Sequence, residues 1–422
     1  MYVVKRQVPV LIGAVLLLLH HFPIAHSQPL PIPGAQPIPG ALPVPGALPV
    51  PGAQPVPGAL PVPGAQPGAP GQACEPIPTD KTQLNAWFER NVAQMSQSVV
   101  SAQSVLSAAL AGPPKVITVK ADGSGQFKCI TEAVNSIPPD NKQRVVIFIG
   151  AGNYTEKVKI ERNKPFITFF GDPLCRPTMV FDGNAAKFGT ADSGTLIVES
   201  DYFTAINMVI VNSSPRPDGK MVGAQAVAMR IMGDYAAFFN CSFHGFQDTL
   251  MDDMGRHLYK DCYIEGTVDF IFGSGQSLYL NSEIHVIPGD PMAIITAHSR
   301  KTLPETSGYV FVHCNVTGTG GIAYLGRTWF DCSRVIFAYC ELTDVVHPQG
   351  WSNNNHPNTD ATAYFGEYNN QGPGALLDQR APFTKRMTDA EIQPFLNLGY
   401  IEAAQWLQIP TLPAPQPQPQ AI

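Results

Sequence analysis

The chain has 422 residues, of which 44% are hydrophobic and only 14% are charged, and its formal net charge is −6. Such a low charged fraction argues against a nucleic-acid-binding protein, which would carry basic clusters. The length allows two or three domains, or one long solenoid.

The first 27 residues have the pattern of a secretory signal peptide. Lys5 and Arg6 precede a short apolar run over 8–19, and small residues stand before a cleavage point after residue 27. The alternative is a signal anchor, but the apolar run is short for a membrane span. The sequence therefore predicts a secreted protein that is not held in a membrane.

Residues 28–73 are predicted to form a Pro-rich spacer. Six hexapeptides of the form Pro-Ile/Val-Pro-Gly-Ala-Gln/Leu fill 31–66. Because proline fixes φ and glycine loosens the chain, this segment cannot build a core and reads as extended. A plain linker and a glycosylated stalk that contacts a cell wall both remain open. Residues 409–422 form a second tail, rich in Pro and Gln.

Residues 74–114 form the next predicted unit, with one long helix over 80–111. Thr79 or Asp80 can cap the start of this helix, and Gly-Pro-Pro at 112–114 ends it. The apolar positions alternate spacings of four and three, which makes one stripe. The stripe consists of Phe88, Val92, Met95, Val99, Ala102, Leu106 and Ala109. We expect it to pack against the next domain of the chain, with a partner helix as the alternative.

Residues 115–408 are predicted to fold as an all-β, right-handed parallel β-helix. Short β-branched and aromatic runs, such as those at 145–149, 166–170 and 335–337, alternate with Gly, Asn and Asp turns. A recurrence of about 20 residues is typical of solenoid coils. The rival fold is a β-sandwich, but Asn-Gly hairpin signals are scarce between the runs.

Two consecutive copies of one local pattern indicate chemistry. Residues 240–248 read NCSFHGFQD and residues 261–269 read DCYIEGTVD, so that Cys, Gly and Asp align. Equivalent positions on adjacent coils lie about 4.8 Å apart, which would bring Asp248 and Asp269 close together. Two like charges at that distance raise the pKa of one group, so one can hold a proton while the other is ionised. The pattern predicts an enzyme with acid/base or nucleophilic chemistry.

Several other side chains suit the same site. Gln225 and Gln247 stand about one coil apart and could bind an oxyanion without neutralising the aspartates. Arg327 could pair with one aspartate and keep it ionised. Trp329 and Trp351 offer flat faces for sugar rings. The sequence contains no Gly-x-Ser-x-Gly, no His-Glu-x-x-His and no P-loop.

Half of the eight cysteines share one context, an apolar stretch followed by Cys, one residue and another apolar residue. They are Cys241, Cys262, Cys314 and Cys340. In a solenoid they would form an internal stack, either reduced, partly bridged or fully bridged. No cysteine pair has the spacing of a zinc site, so no metal is expected.

Five ordered segments resemble motifs of one family, the plant-type pectin methylesterases, or pectinesterases. The segments are GNYTE at 152–156, QAVAM at 225–229, GFQDTL at 245–250, DFIFG at 269–273 and LGRTW at 325–329. They depart from the family motifs at three positions, with Met229 for Leu, Phe246 for Tyr and Thr328 for Pro.

This resemblance implies a parallel β-helix that hydrolyses the methyl esters of galacturonosyl residues in homogalacturonan, without metal or cofactor. It implies that Asp269 is the nucleophile and that Asp248 is first a general acid and then a general base. Gln225 and Gln247 would stabilise the oxyanion, and Arg327 would hold Asp269 ionised. The residues implied to line the sugar cleft are Phe270, Trp329 and Trp351, with Gln225 also contacting substrate.

The resemblance further implies a monomer in the cell wall, with pectin as substrate and a separate proteinaceous inhibitor as a candidate partner. The helical segment is too short for the inhibitor-like pro-domain that many members carry. Glycosylation sequons stand at Asn153, Asn212, Asn240 and Asn315, and Asn240, beside a predicted core position, is the least suited to modification. Two other functions stay open: a calcium-dependent lyase or a hydrolase on the same fold, and a wall protein that only binds pectin.

Overall fold

The computed structural model describes residues 74–101, 105–110 and 112–409. The predicted signal peptide, the Pro-rich spacer and all but the first residue of the tail at 409–422 lie outside these ranges. Within them, no helix is both long and apolar enough to cross a membrane.

Three parallel sheets wind around one axis, and each coil of the chain adds one strand to each sheet. Sheet 1 contains β1 (Lys115–Val119), β2 (Val145–Ile149), β5 (Ile167–Gly171), β8 (Thr204–Ile206), β11 (Ala236–Phe239), β14 (Arg256–Lys260), β17 (Gln276–Leu280), β20 (Gly308–Val312), β23 (Arg334–Ala338), β26 (Tyr364–Tyr368) and β27 (Lys385–Arg386). Sheet 2 contains β3 (Asn153–Thr155), β6 (Thr178–Phe181), β9 (Val209–Asn212), β12 (Ser242–His244), β15 (Tyr263–Gly266), β18 (Glu283–Val286), β21 (Asn315–Thr317) and β24 (Glu341–Leu342). Sheet 3 contains β4 (Val158–Ile160), β7 (Leu196–Val198), β10 (Met229–Ile231), β13 (Leu250–Asp252), β16 (Ile271–Gly273), β19 (Ala293–His298), β22 (Ala323–Thr328) and β25 (Trp351–Ser352).

Strand order confirms the predicted right-handed parallel β-helix. Neighbouring strands are three apart in the chain, as in β13 beside β16, except at the two ends of sheet 1, where β1 pairs with β2 and β26 with β27. A β-sandwich would be built from antiparallel pairs, whereas the strands of these three sheets pair in parallel.

The interior repeats residue types from coil to coil because each inward position recurs one strand spacing further along the axis. Five aromatic rings stack in this way, with centroids 4.4–4.8 Å apart. They are Phe238, Tyr259, Tyr279, Phe311 and Phe337. Each stacked pair contributes about 0.5–1.5 kcal/mol beyond the burial of its apolar area.

The predicted cysteine stack exists, but a serine interrupts it. Sheet 2 pairing places Cys241 beside Cys262, then Ser282, then Cys314 beside Cys340. The four cysteines are buried, and all eight cysteines of the chain are unbridged in this structure. The Ser282 hydroxyl accepts a hydrogen bond from the Cys262 backbone N–H at 3.1 Å. The sequence pattern missed this position because serine does not share the cysteine motif.

The predicted helix over 80–111 appears as three segments, the 3₁₀-helix Lys81–Gln83, α1 (Leu84–Ser101) and α2 (Val105–Leu110); residues 102–104 are not described. The Asp80 carboxylate caps the start by accepting a hydrogen bond from the Thr82 N–H at 2.9 Å.

The apolar stripe of these helices covers the outer face of sheet 1. Phe88 meets Phe239 edge to face at 6.2 Å, and the Lys260 ammonium donates a hydrogen bond to Asn85 at 2.9 Å. Phe88, Val92, Met95, Leu106 and Ala109 are buried. The predicted packing of the helix against the next part of the same chain is therefore confirmed.

The remaining helices are short. They are α3 (Ile130–Asn135), α4 (Ala185–Phe188), α5 (Asp389–Ile392) and the 3₁₀-helices Pro357–Ala361, Pro373–Ala375, Gln393–Phe395, Leu398–Ile401 and Ala403–Gln405. The last of these segments pack on sheet 1 beside α1 and complete the cover of its outer face.

Candidate active site

Four consecutive turns connect sheet 2 to sheet 3 on one side of the β-helix. We call them turn 1 (213–228), turn 2 (245–249), turn 3 (267–270) and turn 4 (287–292), between β9 and β10, β12 and β13, β15 and β16, and β18 and β19. Turns 2 and 3 contain the two aligned aspartates, while turns 1 and 4 flank them. The residues predicted for catalysis therefore gather on this side of the fold.

Asp248 and Asp269 occupy equivalent positions on adjacent coils, as predicted from the repeat. The strands that follow them pair Leu250 with Ile271, and the Asp248 N–H donates a hydrogen bond to the Val268 carbonyl at 3.1 Å. Both aspartates have positive φ, 66° and 50°, a conformation that Asp and Asn tolerate better than most residues. Their exposed fractions are 8% and 4%, so both carboxylates are largely removed from water.

Arg327 binds only one of the two carboxylates among the hydrogen bonds of the described residues. Its Nε donates to Asp269 Oδ1 at 2.7 Å and its Nη2 donates to Asp269 Oδ2. The remaining Nη1 donates to Asn354 Oδ1 at 2.9 Å. Sheet 3 positions the arginine, because β22 lies two strands beyond β16, the strand that follows Asp269. A two-point guanidinium contact fixes the orientation of the Asp269 carboxylate.

Burial and charge separate the two groups. Burial raises the pKa of Asp248 well above its ordinary value, and the neighbouring Asp269 charge raises this pKa further. Burial also raises the pKa of Asp269 above its ordinary value, but the charge and hydrogen bonds of Arg327 limit this rise. Asp248 is therefore the group that retains a proton, and Asp269 is the group that ionises first.

The two glutamines lie on turns 1 and 2, and their side-chain amides are free among the described residues. The backbone of turn 1 meets that of turn 2 where the Ala226 N–H donates to the Gln247 backbone carbonyl at 3.2 Å. The backbone carbonyl of Gln225 accepts a hydrogen bond from the Ala185 N–H at 2.8 Å. Neither amide group forms a hydrogen bond within the described part of the chain. Each can therefore donate to an oxygen of a bound molecule.

The structure supports a cleft position for only one of the three predicted aromatic residues. Trp329 is 52% exposed, and its ring lies 5.4 Å from the Arg327 guanidinium. Trp351 is 1% exposed, stacks on Phe365 at 4.5 Å and donates its indole N–H to Glu367 at 3.0 Å. Phe270 is fully buried in the interior. The prediction that Trp351 and Phe270 present faces to a sugar is therefore wrong, because both rings point into the core.

Sequence reasoning missed the residues that occupy the outer face of sheet 3. Met251, Phe272 and Arg327 share this face through strand pairing, and Met251 and Phe272 are half-buried. Alternation within β16 was the available signal, since Phe272 lies between inward-pointing Ile271 and Gly273. These apolar groups border the carboxylate pair.

Thr328, which replaces the proline of the family motif, is buried and accepts a hydrogen bond from the Thr359 hydroxyl at 3.3 Å.

The described residues contain no group of three or more His, Cys, Asp or Glu side chains that could hold a metal ion. A protonated carboxyl, an ionised carboxylate and free amide donors can together support acyl transfer from an ester. Fold and site thus define a carboxylic ester hydrolase built on a parallel β-helix.

Comparison with known proteins gives the family. A pectinesterase family profile matches residues 116–404. The chain is similar to Pectinesterase 1 of Olea europaea, with 55% identity over 79% of this chain and 91% of that protein. The structure resembles pectin methylesterase from carrot, with a TM-score of 0.61, 32% identity and coverage of 66% of this chain and 89% of that one. It also resembles a pectin methylesterase solved in complex with a hexasaccharide, with a TM-score of 0.59, 25% identity and coverage of 72% and 100%. The chain belongs to the pectinesterase family.

Proposed function

We propose that Asp269, Asp248, Gln225, Gln247 and Arg327 carry out the hydrolysis of methyl esters in homogalacturonan. Membership of the pectinesterase family makes the chain a carboxylic ester hydrolase that acts on pectin methyl esters in cell wall modification. The observation that carries the assignment of roles is the two-point contact of Arg327 with Asp269, which leaves Asp248 without such a partner.

In the first step, the ionised Asp269 carboxylate attacks the ester carbonyl carbon. A tetrahedral intermediate forms, and its collapse breaks the bond to the methoxy group. Asp248 donates its proton to the departing oxygen, so methanol leaves and the substrate acyl group remains on Asp269 as an anhydride.

In the second step, water attacks the acyl group. Asp248, now ionised, accepts a proton from this water, and the bond between the acyl carbon and the Asp269 oxygen breaks. The immediate products are the galacturonic acid, ionised Asp269 and protonated Asp248, and the acid then releases its proton to solvent, which leaves the enzyme in its starting state. A group with a raised pKa suits both halves, because it holds the proton that methanol needs and takes a proton back from water.

The oxyanion of both tetrahedral intermediates needs donors that do not neutralise Asp269. The free amides of Gln225 and Gln247 meet this need, since an amide donates hydrogen bonds without a net charge. Trp329 would bind a sugar ring through its exposed face. Arg327 keeps Asp269 ionised and oriented in the buried site.

Methanol release from highly methylated homogalacturonan, measured without added calcium, tests this function. The wild type should release methanol, and Asp269→Asn should release almost none. Asn also tolerates a positive φ, so this variant should keep the fold. A well-folded wild type that releases no methanol would refute the proposal.

Methanol release also distinguishes the esterase from the two other functions, neither of which produces methanol. A lyase would produce unsaturated sugar ends only when calcium is supplied, because lyases on this fold use an acidic calcium cluster. A wall protein that only binds pectin would retain the polymer without any turnover. The grouping of Asp248, Asp269 and Arg327 in one site favours the esterase over both.

We further propose secretion to the cell wall, directed by a signal peptide at 1–27, and action as a monomer. In this organisation a spacer at 28–73 and a helical segment at 74–114 precede the catalytic β-helix at 115–408, and a tail follows at 409–422. A proteinaceous pectinesterase inhibitor would bind across turns 1–4. Fractionation of tissue extracts and size-exclusion chromatography test the location and the oligomeric state.

Glycosylation is part of the same proposal, and accessibility favours Asn153. Asn153 is exposed in β3, whereas the Asn212 amide is buried and donates hydrogen bonds to Gly183 and Val227 carbonyls, both at 2.8 Å. Asn240, expected to be the least suited to modification because it adjoins the buried Cys241, is itself exposed. Peptide mapping of the secreted protein after glycosidase treatment should find modification at Asn153 and none at Asn212.

A further inference from the structure

An ion pair connects turn 1 to turn 4, across the two turns that contain the aspartates. The Arg216 guanidinium in turn 1 donates one hydrogen bond to Asp290 Oδ2 at 2.8 Å and another to the Pro288 carbonyl at 2.8 Å, both in turn 4. Their side chains are 32% and 29% exposed. The two turns belong to coils that are three strand spacings apart, or about 14 Å along the axis of the β-helix.

The bridge rests on turn 2. The Arg216 guanidinium carbon lies 5.6 Å from the centre of the Phe246 ring, within the range of a cation–π contact. Phe246 directly precedes Gln247 and Asp248. Gly289 allows the approach on the other side, since a side chain there would come within 3.1 Å of the guanidinium. Arg216 is thus enclosed by the Phe246 ring and the backbone of turn 4.

Phe246 also connects turn 2 to turn 3. Its carbonyl accepts a hydrogen bond from the Thr267 N–H at 2.9 Å, two residues before Asp269. A continuous set of contacts therefore runs from Asp290 through Arg216 and Phe246 to both catalytic turns. The ring of Phe246 thus contacts Arg216, while its backbone is bonded to Gln247 along the chain and hydrogen-bonded to Thr267.

We propose that Arg216, held by Asp290, is a positioning residue for the esterase reaction, acting through Phe246 to fix the oxyanion donor Gln247 and the spacing of the two carboxylates. This inference rests on the proposed function. Arg216 touches no residue that reacts, so its effect on rate comes through the geometry of turn 2. Small displacements of catalytic groups can cost up to about 100-fold in rate.

The test compares Arg216→Ala, Asp290→Ala and the double variant with the wild type in methanol release. We expect each single variant to lower kcat about tenfold with little change in KM, because the affected donors act mainly in the transition state. The double variant should be no slower than either single variant, since both remove the same bridge. Arg216→Lys should recover part of kcat, because it keeps the charge but not the planar two-point contact.

Arg90→Ala is the matched control. Arg90 pairs with Glu75 at 3.6 Å, on the helical cover of sheet 1, and is 58% exposed. It should leave kcat unchanged. Thermal unfolding of every variant identifies any that are unfolded at the assay temperature. Asp290→Asn, which keeps the size of the side chain, replaces Asp290→Ala if that variant is unfolded, and Arg216→Lys is read in place of Arg216→Ala on the same ground.

Three results would overturn the inference. Unchanged kcat in folded Arg216→Ala would mean that the bridge has only a structural role. A raised KM with unchanged kcat would make Arg216 a substrate-binding residue instead. Additive losses in the double variant would mean that the two residues act separately. An inactive wild type would refute the proposed function itself, which is a distinct outcome.

Discussion

Arg327 contacts both carboxylate oxygens of Asp269 from a strand two coils further along the β-helix. The same arginine makes no hydrogen bond to Asp248 among the described residues. One cation thus makes two equivalent positions of a repeat chemically different. The proposed division of roles between the two aspartates depends on this asymmetry.

Replacing Arg327 should change the pH dependence of the reaction as well as its rate. In Arg327→Ala, loss of the positive charge raises the pKa of Asp269, so the acidic limb of kcat/KM should move to higher pH. We expect a loss of about 10²–10³-fold at the wild-type optimum. Arg327→Lys keeps the charge and should show a smaller shift with a reduced kcat. An unshifted acidic limb in Arg327→Ala would contradict the assigned role.

Asp248 should lower the stability of the protein at neutral pH. Its pKa in the folded state is raised, so the folded state binds more protons than the unfolded state between the ordinary aspartate pKa and the raised value. Stability therefore falls as pH rises through this window, by about 1.4 kcal/mol for each unit of raised pKa. Asp248→Asn removes this loss. Its melting temperature should exceed that of the wild type at pH 7 and match it below about pH 4. Equal melting temperatures of the variant and the wild type at pH 7 would argue against a raised pKa of Asp248. In methanol release, Asp248→Asn should be inactive.

The amides of Gln225 and Gln247 should act mainly in the transition state. Gln225→Ala and Gln247→Ala are each expected to lower kcat by about 10²–10³-fold, because each removes one oxyanion donor, while KM changes little. Steady-state methanol release against substrate concentration separates the two parameters. A change confined to KM would assign the glutamine to ground-state binding of substrate. Gln349→Ala is the control, because Gln349 is not one of the predicted oxyanion donors. Its side-chain oxygen instead accepts a hydrogen bond from the Tyr324 hydroxyl.

Two tryptophans should respond in opposite ways. Trp329 is 52% exposed, so Trp329→Ala should leave stability nearly unchanged. It should raise KM for the polymer about tenfold, which corresponds to a loss of about 1.4 kcal/mol of stacking. Trp351 is buried on Phe365, so Trp351→Ala should cost about 3–5 kcal/mol of unfolding free energy. Chemical denaturation and steady-state kinetics distinguish the two. A large KM effect from a folded Trp351 variant would restore its predicted sugar-binding role.

Much of the fold and the charged site followed from the repeat in the sequence. The alignment of 240–248 with 261–269 placed Asp248 and Asp269 on adjacent coils, and the structure confirms that placement. This worked because the coils here pair with a constant offset of 21 residues, Ser242 with Tyr263 and Leu250 with Ile271, so a repeat in the sequence places equivalent residues one strand spacing apart. Arg327 was assigned to an aspartate by charge, and the structure pairs it with Asp269.

The orientation of side chains around turns could not be obtained in this way. Phe270 follows Asp269, whose positive φ reverses the direction of the chain, so simple alternation does not carry across the turn. Trp351 sits in a two-residue strand, Trp351–Ser352, which is too short to show a pattern. The Arg216–Asp290 bridge joins residues far apart in sequence, and no local motif signals it.

Ser282 limits how the interior of the β-helix can be cross-linked. Cys241 and Cys262 are one strand spacing apart, as are Cys314 and Cys340, and such neighbours are within reach of a disulfide. Cys262 and Cys314 are separated by the serine and lie two spacings, about 9.6 Å, apart, beyond the span of a disulfide. Oxidation of this stack can therefore create at most two bonds, each tying one coil to the next, and it can never join the two halves of the ladder.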